Sequence, residues 1–344
     1  LNQPTVSPPD ETVLPDRETP RASVLSRLGR ALLASEVIGI LTPVVLLAAA
    51  MSVRFPGFAS RFNVEALLAT VAVTSVVGLA QVSVLAIGQF NLALPAMGAF
   101  TGMLLGWLLQ VGGVLWWVAL LLALAFAALL GLLQGLLIVW LRLNAFIVTL
   151  GLASGYYGLM YVVLGNERYQ HIGPILPRLG RGAVGVVPNI FIISMATCAI
   201  VAFAVGFTVS GRWLLATGAN AIAARFSALP VNGVVVGAHV MSGLLAGVAA
   251  ILVVGRLAVG SPAIGQDWLL TSFAAPVLGG TLLSGGKVSV PGAVLGAALL
   301  AIIANALVIV GVSQYWYQAG LGLIILGAVS LDRLRLQLLT AGRL

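Results

Sequence analysis

The chain is predicted to be an all-α polytopic membrane protein of about ten transmembrane helices. Three observations predict it. Of 344 residues, 60% are hydrophobic and only 8% are charged, against roughly 25% charged in an average soluble protein. The mean hydropathy is +1.13. The apolar residues form continuous runs instead of alternating, so the spanning elements are helices and not barrel strands; lipid satisfies no backbone hydrogen bond, which leaves only those two choices.

The elements follow in order. Residues 1–36 begin with Pro4, Pro8, Pro9, Pro15 and Pro20 among Asp10, Glu11, Asp16 and Glu18, with little to bury. They predict a disordered cytoplasmic tail. Within it, residues 21–36 mix Arg21, Arg27 and Arg30 with leucines and predict an interfacial helix. A secretory signal, with residues 37–47 as its apolar core and Ala48-Ala49-Ala50 as its cleavage site, is the competing reading. The long acidic leader argues against it. Spans are predicted near 37–53, 64–86, 92–110, 114–141, 145–165, 190–209, 233–255, 267–284, 290–312 and 316–331. Together, 37–331 is one membrane domain, and 332–344 is a short cytoplasmic tail.

With the N-terminus inside, eleven of the 17 basic residues fall on the inner side. The positive-inside bias therefore places both termini in the cytoplasm. The net charge of +8 sits at the ends of apolar runs, where orientation signals belong, so nucleic acid is not an expected partner. The bilayer is. Cys198 is a single cysteine in an apolar run and reads as a packing residue.

Two stretches echo each other. Gly131-x3-Gly135-x8-Asn144-Ala145 matches Gly292-x3-Gly296-x8-Asn305-Ala306 at an offset of 161, and Gly88-Gln89-x2-Leu92 matches Gly265-Gln266-x2-Leu269 at 177. Repeat units of spans two to five and seven to ten are five spans apart, so the second copy is inverted. Inverted repeats mark transporters, with the solute path between the copies.

No span carries a row of Asp, Glu, Lys or His, which argues against ion-coupled transport. Glu65 and Asp267 stand at expected outer helix ends. There is no phosphate-binding G-x4-G-K-[ST] loop; Gly279-Gly280-Thr281 and Gly285-Gly286-Lys287 read as turns. Two histidines, His171 and His239, form no metal-ligand pattern, so no metal is expected. His171 reads as a loop residue and His239 as a packing or capping one. The polar residues left at membrane depth, Gln89, Asn91, Asn144, Thr149 and Asn305, are candidates for lining a translocation path; bonding between helices is the alternative.

Between two apolar runs lies a polar island at 211–231, with Asn220 as a helix N-cap before Ala221-Ile222-Ala223-Ala224. Small Ala223 and Ala224 would let such a helix lie in a groove. Arg225 offers a rigid fork of donors to a partner.

This island resembles the coupling loop of ribose-type permeases of ATP-binding-cassette importers, roughly G-R-x3-A-x-G-x-N-x2-A-A-R-x-S. The chain is similar to it at Gly211, Arg212, Ala216, Gly218, Asn220, Ala223, Ala224, Arg225 and Ser227. Asn144 to Gly151 resembles the family's P-F-I-x-T-L-G, and Phe273 to Thr281 with Gly285-Gly286 resembles I-A-A-x-x-L-G-G-T…G-G. The resemblance implies a type II importer-like fold and a permease subunit, not an enzyme. It assigns ATPase coupling to Gly211, Arg212, Gly218, Asn220, Ala223, Ala224 and Arg225. The implied partners are an ATPase that itself binds ATP and Mg²⁺, an extracytoplasmic solute-binding protein, and a second permease copy, identical or related. The implied location is the bacterial cytoplasmic membrane, and the implied cargo a sugar or similar polar solute.

The family usually carries G-x-D-L-S-V-G after the second span. Here the stretch is Gln89-Phe90-Asn91-Leu92-Ala93-Leu94-Pro95, with Asn91, Ala93 and Pro95 in place of Asp, Ser and Gly. Pro95 is expected to break or kink the helix. The run Ala96-Met97-Gly98-Ala99-Phe100 has the flavour of amino-acid permeases, so branched-chain amino acids or nucleoside-like solutes are the alternative cargo. An ion-coupled secondary transporter is a third reading.

Overall fold

The structure, a computed structural model, describes residues 36–313, 316–323 and 326. The tail expected at 1–36 lies almost wholly outside the described residues, as do the 332–344 tail and both termini. The chain runs as α1 (Glu36–Arg54), a short 3₁₀ turn (Pro56–Ala59), α2 (Arg61–Leu85), α3 (Leu94–Gln110), α4 (Trp116–Leu141) and α5 (Ala145–Leu164). Next come the short α6 (Ile175–Arg181), a hairpin of β1 (Ala183–Val184) and β2 (Val187–Pro188), and α7 (Asn189–Phe207). Then follow α8 (Val209–Ala219), α9 (Ala221–Phe226), α10 (Val231–Leu257), α11 (Trp268–Leu278) and α12 (Val290–Val310). Residues 316–323 are helical.

Among the described residues, six helices are long and apolar enough to cross a membrane: α2, α4, α5, α7, α10 and α12. Among the described residues each predicted span contains a helix, and three of these are shorter apolar stretches: Ile38–Arg54 of α1, α3 and α11. The segment predicted at 267–284 holds only the 11 residues of α11, about 16 Å of rise. Pro276 near its end and the Gly279-Gly280 turn stop it early. Helix α3 is 17 residues long, and Pro95 does not kink it. Pro95 lies in the first turn, where its missing N–H would have had no partner.

Local chemistry sets several helix starts. Ser60, Asn144, Thr208, Asn220 and Ser289 each accept a backbone N–H as the N-cap of α2, α5, α8, α9 and α12. Helices α2 and α10 form the centre of the bundle. Helix α10 packs on α4, α2 and α3; α2 also packs on α12, α11 and α7; α1 lies against α12. The β-hairpin and α6 mark one end of the bundle, and α8–α9 mark the other.

The two sequence echoes fare differently. Gly131 and Gly135 let α4 approach the backbone of α10 at His239 and Val236, whereas Gly292 and Gly296 let α12 approach α11 at Gly279 and Ala275. Asn144 caps a helix and Asn305 lies inside one. In the other echo, Gly88 (φ +69°) and Gly265 (φ +83°) both turn the chain just before a short helix, α3 and α11 respectively.

Candidate translocation and coupling sites

The loop between α2 and α3 enters the bundle and is held there by a buried polar network. Asn91 Oδ1 accepts from Ala93 N (3.0 Å) and from Gln134 Nε2 (2.9 Å), while its Nδ2 donates to Ser242 Oγ (2.9 Å). His239 lies between Gln134 Oε1 (3.4 Å from Nδ1) and Gln89 Oε1 (3.0 Å from Nε2), and its single ring N–H donates to one of these two acceptors. With its amide oriented to match, Gln81 donates to the Asn91 carbonyl (3.2 Å) and accepts from the Asn91 N–H (3.3 Å). Asn91, Gln81, Gln134, His239 and Ser242 are all fully buried. The network therefore ties α2, the loop, α4 and α10 into one unit.

Gln89 and Asn91 thus fall together, and Thr149 stands beside them, its hydroxyl 3.4 Å from the Phe90 carbonyl. Asn144 is exposed at the α5 N-cap and accepts from Phe146 N (2.8 Å). Asn305 lies apart. It exchanges two hydrogen bonds with Asn63, of 2.7 and 3.1 Å, near the start of α2. Gln89 follows the other end of that 25-residue helix, about 35 Å away. The five residues therefore do not line one wall. Sequence reasoning missed Gln134 and Ser242 and took His239 for packing or capping; a glutamine and a histidine inside otherwise apolar spans were the available signal.

The coupling segment folds as two helices. Thr208 caps α8 and accepts from Gly211 N (3.2 Å), and Asn220 caps α9, accepting from Ile222 N and Ala223 N at 3.0 Å each. Gly211 is buried against the carbonyls of Ala204 and Val205, so it serves the α7–α8 bend. Ala223 and Arg225 are exposed on α9 and Arg212 on α8, but Ala224 is buried. Of the two small residues expected to let the helix lie in a groove, Ala223 is exposed and Ala224 packs against the permease itself. The outer face of α9 carries Ile222 and Phe226, one turn apart, 70% and 90% exposed.

Behind α8–α9 three segments meet backbone to backbone. Gly286 N donates to the Ala86 carbonyl (3.0 Å). Gly218 lies against that same carbonyl, and a Cβ there would come within 2.6 Å of Gly286 N. A Cβ on Gly88 would lie 2.8 Å from Ser284 O, and one on Gly286 2.8 Å from Ala219 Cα. The coupling segment, the end of α2 and the α11–α12 turn are thus locked together without intervening side chains.

At the opposite end a cavity of about 510 Å³ opens among α2, α10, α11 and the loops beside them. Thr70, Thr74, Arg168, Arg256, Asp267, Trp268 and Tyr317 are among its lining residues. A second cavity of about 250 Å³, lined by Asn305, adjoins it and shares Thr70 and Tyr317. Tyr169 braces this end, donating to the Leu164 carbonyl (2.6 Å) and pairing through its backbone with Gly260. Burial, reinforced by the charge of Glu167, raises its phenol above the usual range, so it remains a donor.

Among known proteins, the chain resembles the L-arabinose ABC transporter permease protein AraH of Azospirillum brasilense, 27% identical over 97% of this chain and 95% of that one. It is 29% identical to the ribose import permease protein RbsC of Escherichia coli K12, over 85% and 92% of the two chains. It is 33% identical to the probable ABC transporter permease protein YphD of the same strain, over 85% and 88%. No solved structure matches significantly. Residues 61–329 match the family profile described as branched-chain amino acid transport system / permease component. The chain belongs to this family of ABC-transporter permease components, and it is a multi-pass membrane transport protein.

Proposed function

We propose that this chain forms the pore of a bacterial ATP-driven importer for a sugar or similar polar solute, in the cytoplasmic membrane with both termini inside. Two copies, or this chain with a close relative, make the pore. A separate ATPase binds ATP and Mg²⁺ and docks on α8–α9, and an extracytoplasmic binding protein delivers solute at the opposite end. The observation that carries the reading is α9 itself. Ile222 and Phe226 stand exposed beside Arg225 on a capped helix whose Ala224 is buried, just after the close approach of Gly218 to the bundle. Exposed apolar side chains next to an arginine fit a protein interface better than a solvated loop. The named cargoes of relatives, L-arabinose and ribose, favour a sugar; the family description favours branched-chain amino acids as the second reading.

Arg225→Glu and Phe226→Asp test the docking face. Each is expected to weaken ATPase co-purification and solute uptake by about tenfold or more while membrane insertion is unchanged. Wild-type co-purification in both variants would refute the assignment of α9.

A further inference from the structure

Charge is scarce in this chain, yet three charged side chains gather at one cavity. Arg168, Arg256 and Asp267 all line the 510 Å³ space at the end opposite α8–α9, a size within the range of small-molecule sites. Among the described residues, the one ion pair within 4.0 Å is Arg61–Glu65, so neither arginine is ion-paired with Asp267. No described hydrogen bond engages the guanidinium of Arg168 or Arg256; Arg256 contributes only its carbonyl, which accepts from Arg181 Nε at 2.9 Å. Two free guanidiniums against one carboxylate leave the cavity with a net positive charge. The rest of the lining mixes hydroxyls and rings, Thr70, Thr74, Thr271, Trp268 and Tyr317 among them, with aliphatic side chains from α2, α10 and the loop that follows α10.

Below the cavity the helices pack closely. Thr70, Thr74 and Val77 follow one face of α2 downwards. Next along α2, a Cβ on Gly78 would lie 3.4 Å from Ala275 Cβ and 3.5 Å from Pro276 Cδ, and beyond the helix end Gly88 lies close to Ser284 and Gly285.

We propose that this cavity is a solute site and that it takes a polyhydroxylated small molecule carrying an anionic group, such as a sugar acid. The inference rests on the permease reading and narrows its cargo. The guanidiniums bind the anion, which planar donor forks do well for carboxylate and phosphate. The threonine hydroxyls meet the solute's hydroxyls, and the rings cover its C–H faces. Asp267 opposes the anion and sets a limit on how much negative charge is accepted.

The test uses the purified full chain in nanodiscs, with thermal stabilisation by added solute as the readout. The probes are L-arabinose, D-ribose, D-galacturonate, ribose 5-phosphate and L-leucine. The acids are expected to stabilise the chain in a concentration-dependent way, and the larger shift of the two names the anion. Arg168→Gln and Arg256→Gln should weaken that response about tenfold. Asp267→Asn should strengthen it, a gain that a merely structural role would not produce. The proposal is overturned if the neutral sugars or leucine stabilise as well as the acids. It is also overturned if the arginine variants respond like wild type, or if no solute stabilises the chain. Because the assay contains no ATPase or binding protein, its failure is separate from failure of the importer reading, which uptake and co-purification decide.

Discussion

Asn91 shows how one side chain can hold a loop inside a bundle. Its amide joins the α2–α3 loop to Gln134 on α4 and Ser242 on α10, and its backbone pairs with Gln81 on α2. Removing it leaves a buried donor and acceptor unsatisfied. Asn91→Ala is therefore expected to cost about 2–4 kcal/mol, read as a lower thermal transition in size-exclusion assays. A transition unchanged from wild type would mean that water or relaxation replaces the network. The sequence made Asn91 and Gln89 visible as polar residues at membrane depth. It did not show what they bind, because Gln134 and Ser242 lie 43 and 151 positions away, and polarity alone carries no pairing information. For the same reason Asn144 and Asn305 looked alike, although one caps a helix and the other pairs with Asn63.

At the scale of elements, local signals were read well and tertiary ones were not. Asn220 capping α9 needs only its own neighbours, and it was legible. The brevity of α11 depends on Pro276 and on the close approach of Gly279 to α12, so hydropathy alone extended it too far. The lock behind α8–α9 likewise arises only when three distant segments meet. Helix α8 lies directly against Ala86 and Gly286, and Gly88 precedes Gln89, which is bonded to His239. Gly218→Val must displace the Ala86 carbonyl, because the space for a Cβ is already filled. Uptake is expected to fall about tenfold or more while ATPase still co-purifies, since the outer face of α9 is untouched. Gly206→Ala, with open space around its Cα, is the neutral control. If Gly218→Val transported normally, the lock would be dispensable for coupling.

For the whole molecule, the contrast between its two ends defines a state. Around the α2–α11–α12 core, one end holds the cavity that contains Thr74, and the other is closed by backbone contacts among Gly88, Ser284, Gly286 and Gly218. A transporter that alternates access must exchange these conditions, opening the lock and collapsing the cavity as the ATPase cycles. Thr74→Cys reports on the exchange, because Thr74 lines the cavity and the native Cys198 is buried. In vesicles carrying the full complex, a bulky hydrophilic maleimide added on the binding-protein side is expected to label Thr74→Cys in one ATPase state. The rate should change several-fold between nucleotide-free and vanadate-trapped complexes, with no change for the Cys198 background. Equal rates in both states would mean that the cavity is a static vestibule and that the moving gate lies elsewhere in the bundle. Labelling only from the α8–α9 side would reverse the orientation assigned to the chain.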